Sequence, residues 1–195
     1  MMAKILIRGD FFMLKNLWVT GYRSFELGIF KDDDPKSKVI QDFFQERLIN
    51  YAENGTQWII TGAQLGTEQI VGKSIQEVKK KGYNIRHAVI LPYAEFGNKW
   101  NENNQLLLKN FLRNADYVNK VSNMSYHSGR QLRVWQSFML QHTNGALIFY
   151  DPDSGGKPKY DYEAIKSYQD SGTDYQLELI DFDSMQDFAN MLSDS

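Results

Sequence analysis

The sequence predicts a Rossmann-like α/β fold, in which a single doubly wound, mostly parallel sheet carries helices on both faces. Short apolar runs alternate along the chain with segments of helical periodicity, which is the pattern of successive βαβ units. These runs are rich in β-branched residues, as strands buried on both faces are. In addition, two of the runs end in a Thr-Gly step, at Thr20-Gly21 and at Thr61-Gly62.

The elements follow in order along the chain. Strands are predicted at residues 17–20, 57–61, 85–91, 117–121, 146–150 and 177–182. Helices are predicted at residues 35–53, 70–81, 100–115 and 129–143, then around 162–168 and 185–192. The first helix has the clearest signals, because Asp34 is a good N-cap, Pro35 suits the first helical position and Asn54-Gly55 provides a stop.

Composition limits the classes of function. A chain of 195 residues can bury a sizeable core, and its net charge of −2 makes a dedicated nucleic-acid binder the less favoured class. The absence of cysteine excludes disulfides and thiolate metal sites. No apolar run approaches the ~20 residues that a membrane span requires. We expect a cytoplasmic protein with no membrane partner, and homo-oligomerisation stays open.

The N-terminus allows two interpretations. Met13 stands just before the first strand and could be a second start, which would make residues 1–12 an extension and residues 13–195 the nucleotide-binding domain. The alternative is that Ile5 to Ile7 form an extra strand.

The candidate ligand-binding residues lie mainly after predicted strands, since ligands of such sheets bind beyond the carboxyl ends of the strands. They are Thr20, Gly21, Tyr22, Arg23, Gly62, Gln64, Gly66, Thr67, Glu68, Pro92, Tyr93, Asn101, Arg133 and Lys157.

The turn from Gly62 to Gly66 is predicted to bind an anion, because glycine permits close approach and a helix start offers N–H groups. A side chain at Gly66 is expected to fill space that the ligand needs. Arg23 can pair with a phosphate, and the alternative is a surface ion pair with Glu26 or with an acidic residue of Asp32-Asp33-Asp34. Glu68 can accept ribose hydroxyls or act as a general base, or it is simply an acid favoured by the helix dipole.

The other candidates have plainer alternatives. Tyr22 and Tyr93 can stack on a base, although most aromatic residues belong to the core. Asn101 lies in an amide-rich stretch that could contact a ligand or cap a helix, and Arg133 could reach an anion or face water. The three histidines lack ligand spacing, so no metal is expected, and the cofactor stays unknown. Neither G-x-G-x-x-G nor the P-loop pattern occurs.

Four blocks of sequence carry a resemblance to a known family. Residues 19–30 (VTGYRSFELGIF) and 62–68 (GAQLGTE) resemble the YpsA-like family of Gram-positive bacteria, and Trp100-Asn101-Glu102 and Pro158-Lys159-Tyr160 add weaker matches. That family is similar to the wider SLOG superfamily, which includes the DNA-processing protein A and the LOG phosphoribohydrolases. The LOG pattern P-G-G-x-G-T-x-x-E is absent, since its nearest positional counterpart, residues 151–159, has neither the threonine nor the glutamate.

The resemblance implies a nucleotide-like ligand and a cellular role in division or stress. The leading hypothesis is therefore a protein that binds a nucleotide or a nucleotide-derived metabolite. The alternatives are a hydrolase acting on such a ligand, with Glu68 as the candidate catalytic residue, and a single-stranded nucleic-acid binder.

Overall fold

The computed structural model describes residues 14–31 and 33–194. Within these residues, six strands form one parallel sheet in the order β4-β3-β2-β1-β5-β6. The strands are β1 (Asn16–Gly21), β2 (Trp58–Thr61), β3 (Arg86–Leu91), β4 (Tyr117–Lys120), β5 (Gly145–Phe149) and β6 (Gln176–Ile180). The helices are α1 (Pro35–Glu53), α2 (Thr67–Lys80), α3 (Glu102–Arg113), α4 (Gly129–His142), α5 (Lys159–Asp170) and α6 (Phe182–Ser193). The predicted fold class is confirmed.

The order in which the chain adds strands to the sheet reverses between β1 and β5. The chain steps from β1 through β2 and β3 to one edge, then returns to β5 beside β1 and continues to β6 at the other edge. Gly21 pairs with Phe149 of β5, while β1 and β2 are parallel neighbours with Leu17 opposite Ile59. The loops after β1, β2 and β5 therefore meet at one edge of the sheet, where the fold predicts a ligand site.

Helix α1 begins and ends where its sequence signals predict. The Asp34 carboxylate accepts a hydrogen bond from the Lys36 amide, Pro35 occupies the first turn and Asn54 is the C-cap. Its buried face consists of Ile40, Phe43, Phe44, Leu48 and Tyr51. It packs with β1 and β2 in the main core, whose centre includes the fully buried Leu17, Trp18 and Ile59.

Strand β4 departs from the pattern of strands buried on both faces. All four of its residues are exposed, including Tyr117 and Val118. The reason is its position, because β4 pairs only with β3 and lies at the edge of the sheet. Its short length and terminal lysine are features that discourage further pairing of an edge strand.

The proposed extension at residues 1–12 and its alternative lie outside the described residues. Within the described residues, no helix is long and apolar enough to cross a membrane.

Candidate functional site

A cavity of about 400 Å³ lies at the switch in strand order, and we call it the switch-point cavity. The loops after β1, β2 and β3 form one side of it, and the beginnings of α4 and α5 form the other. Because parallel strands end at the same edge of the sheet, residues distant in sequence lie close together here. Thr20 at the end of β1 and Asp161 in the first turn of α5 are an example.

Glu68 is the most buried ionisable group of the cavity, with only 2% of its surface exposed. It lies in the first turn of α2, and its side chain turns back onto its own loop. Oε2 accepts a hydrogen bond from the backbone N–H of Gln64 at 2.7 Å, and Oε1 accepts one from the Thr20 hydroxyl at 2.9 Å. Burial raises the pKa of Glu68 to about 7, an effect that the Gln64 amide partly opposes.

Asp161 approaches the same hydroxyl from α5. Its Oδ2 lies 3.4 Å from Thr20 Oγ1, and its Oδ1 accepts the Gln136 amide of α4 at 2.7 Å. Asp161 lines the cavity and is partly exposed. Loss of solvation raises its pKa above the usual value, against the opposing effects of Gln136, Arg23 and Thr20.

The loops around the cavity are fastened by side chains behind it. The buried Tyr22 hydroxyl donates to Gly155 O at 2.9 Å and accepts the Asp151 amide at 3.0 Å. The Glu26 carboxylate accepts the backbone amides of Arg23 at 2.9 Å and Lys157 at 2.6 Å. Both sets of contacts join the loop after β1 to the loop after β5, which fixes the two sides of the cavity relative to each other.

The remaining walls combine cations with apolar surface. Arg23, Arg133 and Lys157 bring three cations to the cavity. The apolar side includes Phe96, Leu132 and Trp135, and the Trp135 indole donates to Ile90 O at 2.7 Å, which fixes α4 on the sheet. The cavity can therefore hold a molecule with an anionic part and a flat or apolar part.

Residues 17–185 match the model of the YspA SLOG family, named YpsA. The chain belongs to this family. It is 46% identical over 177 residues to a UPF0398 protein of Lactobacillus delbrueckii subsp. bulgaricus, covering 90% of this chain and 95% of that protein. It is also 45% identical over 183 residues to a UPF0398 protein of Oenococcus oeni, covering 93% of this chain and 97% of that protein. The resemblance to the YpsA family inferred from the four sequence blocks is thus confirmed.

The fold brings together many of the site residues predicted for this YpsA-family chain. Those that line the switch-point cavity are Thr20, Gly21, Arg23, Gly62, Gln64, Glu68, Pro92, Arg133 and Lys157. They come from five separate segments of the chain, and their convergence follows from the parallel order of the strands.

The other five predicted residues lie outside the cavity lining. Tyr22 supports it from behind, and the Thr67 hydroxyl donates to Tyr22 O at 2.9 Å, also behind the cavity. Tyr93 packs against Phe96 and Tyr126 beside the cavity. Gly66 and Asn101 line a separate groove of about 780 Å³ on the side of α1, α2 and α3.

The structure explains the glycine at position 66 by backbone packing. Its φ is +106°, and a β-carbon would lie 2.4 Å from Ser24 N and 2.6 Å from the Arg23 carbonyl carbon. The Ser24 amide donates to Leu65 O, which keeps the two loops in contact. The space left by the missing side chain is therefore filled by the backbone of the loop after β1, and not by a ligand as the turn pattern alone predicts.

Two residues of the cavity, Asp161 and Gln136, are not among those predicted from the sequence. Asp161 lies four residues after the predicted Lys157, but the helix containing it was placed too late in the chain, around 162–168. Gln136 follows the predicted Arg133 by three residues on α4, so the two side chains share a helix face. That spacing was a usable signal. Among the described residues, no group of three His, Asp or Glu side chains is arranged to hold a metal ion.

Proposed function

We propose that this protein binds a nucleotide or a nucleotide-derived metabolite in the switch-point cavity. The observation that carries the proposal is the presence of three cations and an apolar wall in one cavity of about 400 Å³. This volume is within the range of small-molecule sites, roughly 300–1,000 Å³. A phosphate fits the cationic side, and a base fits the apolar side.

The phosphate is assigned to the side formed by α4 and α5. Gly129 and Pro158, at the beginnings of these helices, line the cavity together with Arg133 and Lys157. Helix N-termini and arginine both favour phosphate. The turn before α2 suits it less, because the Gln64 amide already binds the Glu68 carboxylate and the Thr67 amide binds Tyr22 O.

The base is assigned to the apolar surface of the cavity, part of which lies on α4 and α5 next to the phosphate position. Phe96, Leu132 and Tyr160 line the cavity, and Tyr160 is 63% exposed in the first turn of α5. Burial of apolar and aromatic surface against a planar base stabilises a complex of this kind. The sugar then lies between base and phosphate, within reach of the two carboxyl groups.

Calorimetry with nucleoside monophosphates of the four common bases tests the proposal, with adenosine and inorganic phosphate as partial ligands. We expect at least one nucleotide to bind more tightly than either partial ligand. Arg133→Gln should weaken that nucleotide by roughly ten- to hundredfold, since it removes a charged hydrogen bond. Arg113→Gln, an exposed change on α3, is the matched control and should leave binding intact. Equal losses in the two variants would contradict the assignment.

Hydrolysis of the bound ligand is a second candidate function. It is favoured by one observation, namely that burial raises the pKa of Glu68 to about 7, where a carboxyl group works well as a general base or acid. Glu68→Gln separates the two functions. If Glu68 only binds, the variant loses roughly 1–2 kcal/mol of affinity and wild type shows no turnover. If Glu68 is the base, wild-type turnover collapses in the variant with affinity kept.

A further inference from the structure

Five polar groups form one continuous row at the inner end of the switch-point cavity. At one end, the side-chain Nε2 of Gln136 donates to Asp161 Oδ1 at 2.7 Å. At the other end, the backbone N–H of Gln64 donates to Glu68 Oε2 at 2.7 Å. Between these ends, Asp161 Oδ2 and Glu68 Oε1 lie 3.4 Å and 2.9 Å from the same oxygen, Thr20 Oγ1. The row thus joins two carboxyl groups through one hydroxyl.

The number of hydrogens available for these contacts determines the protonation state of the two carboxyl groups. A threonine hydroxyl has one hydrogen to donate, and an ionised carboxylate has none. If both acids were ionised, one carboxylate oxygen would face the hydroxyl oxygen with no hydrogen between them. If one acid keeps its proton, that acid donates to Thr20 Oγ1, and Thr20 donates to the other acid. A single proton therefore satisfies every contact of the row.

We propose that Glu68 and Asp161 hold one proton between them through the Thr20 hydroxyl at neutral pH, and that this pair binds the hydroxyl-bearing sugar part of the ligand. The sugar assignment rests on the proposed function, whereas the shared proton does not.

The surrounding charges agree with a pair that carries one negative charge. Arg23 after β1, Arg133 on α4 and Lys157 before α5 line the same cavity, so the remaining negative charge is compensated. Asp161 acts to raise the pKa of Glu68, as two neighbouring carboxyl groups do when they do not both ionise readily. Arg23 acts in the opposite direction on both groups.

The row has two directions, because the proton can lie on Glu68 with Thr20 donating to Asp161, or the reverse. Glu68 is enclosed, whereas Asp161 opens into the cavity. In both directions the proton lies inside the row, so the open end presents the remaining lone pairs of Asp161 to a ligand as hydrogen-bond acceptors. A sugar hydroxyl can donate to these acceptors in either state, whereas a phosphate placed here would face a carboxylate charge.

The shared proton is tested on the protein without ligand, by NMR of ¹³C-labelled carboxyl groups between pH 4 and pH 9. We expect Glu68 and Asp161 to titrate as a coupled pair, with one step near neutral pH and one well below it. In Asp161→Asn, the step near neutral pH should move to lower pH, since the neighbouring carboxylate is gone. Asp153→Asn, an exposed change in the loop before α5, is the matched control and should leave both steps in place.

Two results would overturn the shared proton. One is that both carboxyl groups complete their titration below about pH 5. The other is that Asp161→Asn leaves the Glu68 titration where it was. Thr20→Val, which keeps the shape and removes the hydroxyl, adds a separate readout. Both carboxyl groups should still titrate in this variant. The chemical-shift change that one carboxyl group shows while the other titrates should become smaller.

The sugar assignment is tested with AMP and 2′,3′-dideoxy-AMP, which share the base and phosphate. We expect the dideoxy compound to bind at least tenfold more weakly, and Asp161→Asn to reduce that difference. Equal affinity for the two nucleotides would overturn the sugar assignment alone. Failure of both to bind would overturn it together with the proposed function, while the titration still decides the shared proton.

Discussion

The Glu68 carboxylate lies directly against Gly62, so that a β-carbon at position 62 would be 2.6 Å from Oε2 and 2.9 Å from Oε1. Position 62 must be a glycine because the Glu68 side chain, from the helix that follows, occupies the space of a β-carbon. Its φ is outside the positive range, so the backbone itself tolerates another residue.

Gly62→Ala should therefore displace the Glu68 carboxylate from Thr20 and Gln64 and leave the fold intact. We expect nucleotide affinity to fall by about 1–3 kcal/mol, with a small change in melting temperature. Gly82→Ala, just beyond the far end of α2, is the control for affinity, because no atom lies within 4 Å of a β-carbon there. An unchanged affinity in Gly62→Ala would show that the carboxylate position does not matter for binding.

Gly66→Ala should act on stability instead. The new β-carbon would collide with the backbone of Ser24 and Arg23, and the residue would have to keep a φ of +106°. Gly155→Ala separates the two effects, since its φ is +67° and no atom lies within 4 Å of a β-carbon there. We expect a loss of about 1–2 kcal/mol for Gly155→Ala from the backbone alone, and a distinctly larger loss for Gly66→Ala. Urea unfolding of both variants measures this, and equal losses would refute the collision.

These two glycines also show what the sequence could and could not predict. Thr-Gly after an apolar run correctly predicted a strand end and a turn, because both are local properties of the chain. Which neighbour fills the space beside each glycine depends on how two distant loops pack. The ligand role of Gly66 was inferred from the turn alone, and the structure places the loop after β1 in that space.

The elements themselves followed closely from the sequence. The bounds of α1 agreed because Asp34, Pro35 and Asn54 act within the helix they limit. Helix α5 was harder, because its N-cap position is Pro158 and no side-chain cap marks its start. The late placement of this helix removed Asp161 from the candidate site. Its contact with Thr20 spans 141 residues, and no local pattern reports such a contact.

Glu68 should make stability depend on pH. Its pKa is about 7 in the folded protein and 4.5 in the absence of burial. The unfolded chain thus releases the proton first as pH rises, so the free energy of unfolding should fall between about pH 4.5 and pH 7 and level off above that.

Glu68→Gln should remove this loss. We expect the variant to be more stable than wild type at pH 8, by up to about 3 kcal/mol, and similar to it near pH 4.5. Chemical unfolding at both pH values measures the difference. Glu163→Gln, an exposed change on α5, is the control and should show no such pH-dependent gain. A Glu68→Gln variant that is less stable than wild type at pH 8 would mean that the buried carboxylate is a net stabilising group.

Salt dependence should distinguish a nucleotide from single-stranded nucleic acid as the ligand. The cavity presents three cations, Arg23, Arg133 and Lys157, within a volume of about 400 Å³, which suits one phosphate group better than an extended backbone. Affinity for a mononucleotide should therefore fall only shallowly as salt rises from roughly 50 to 300 mM. A strand that makes several phosphate contacts loses affinity with a log–log slope of about −0.7 per contact. We expect a short oligothymidylate to bind more weakly than AMP at every salt concentration, and Arg133→Gln to weaken both ligands. Tight binding of the oligonucleotide with a slope steeper than about −2 would instead indicate a nucleic-acid partner whose backbone continues beyond the cavity.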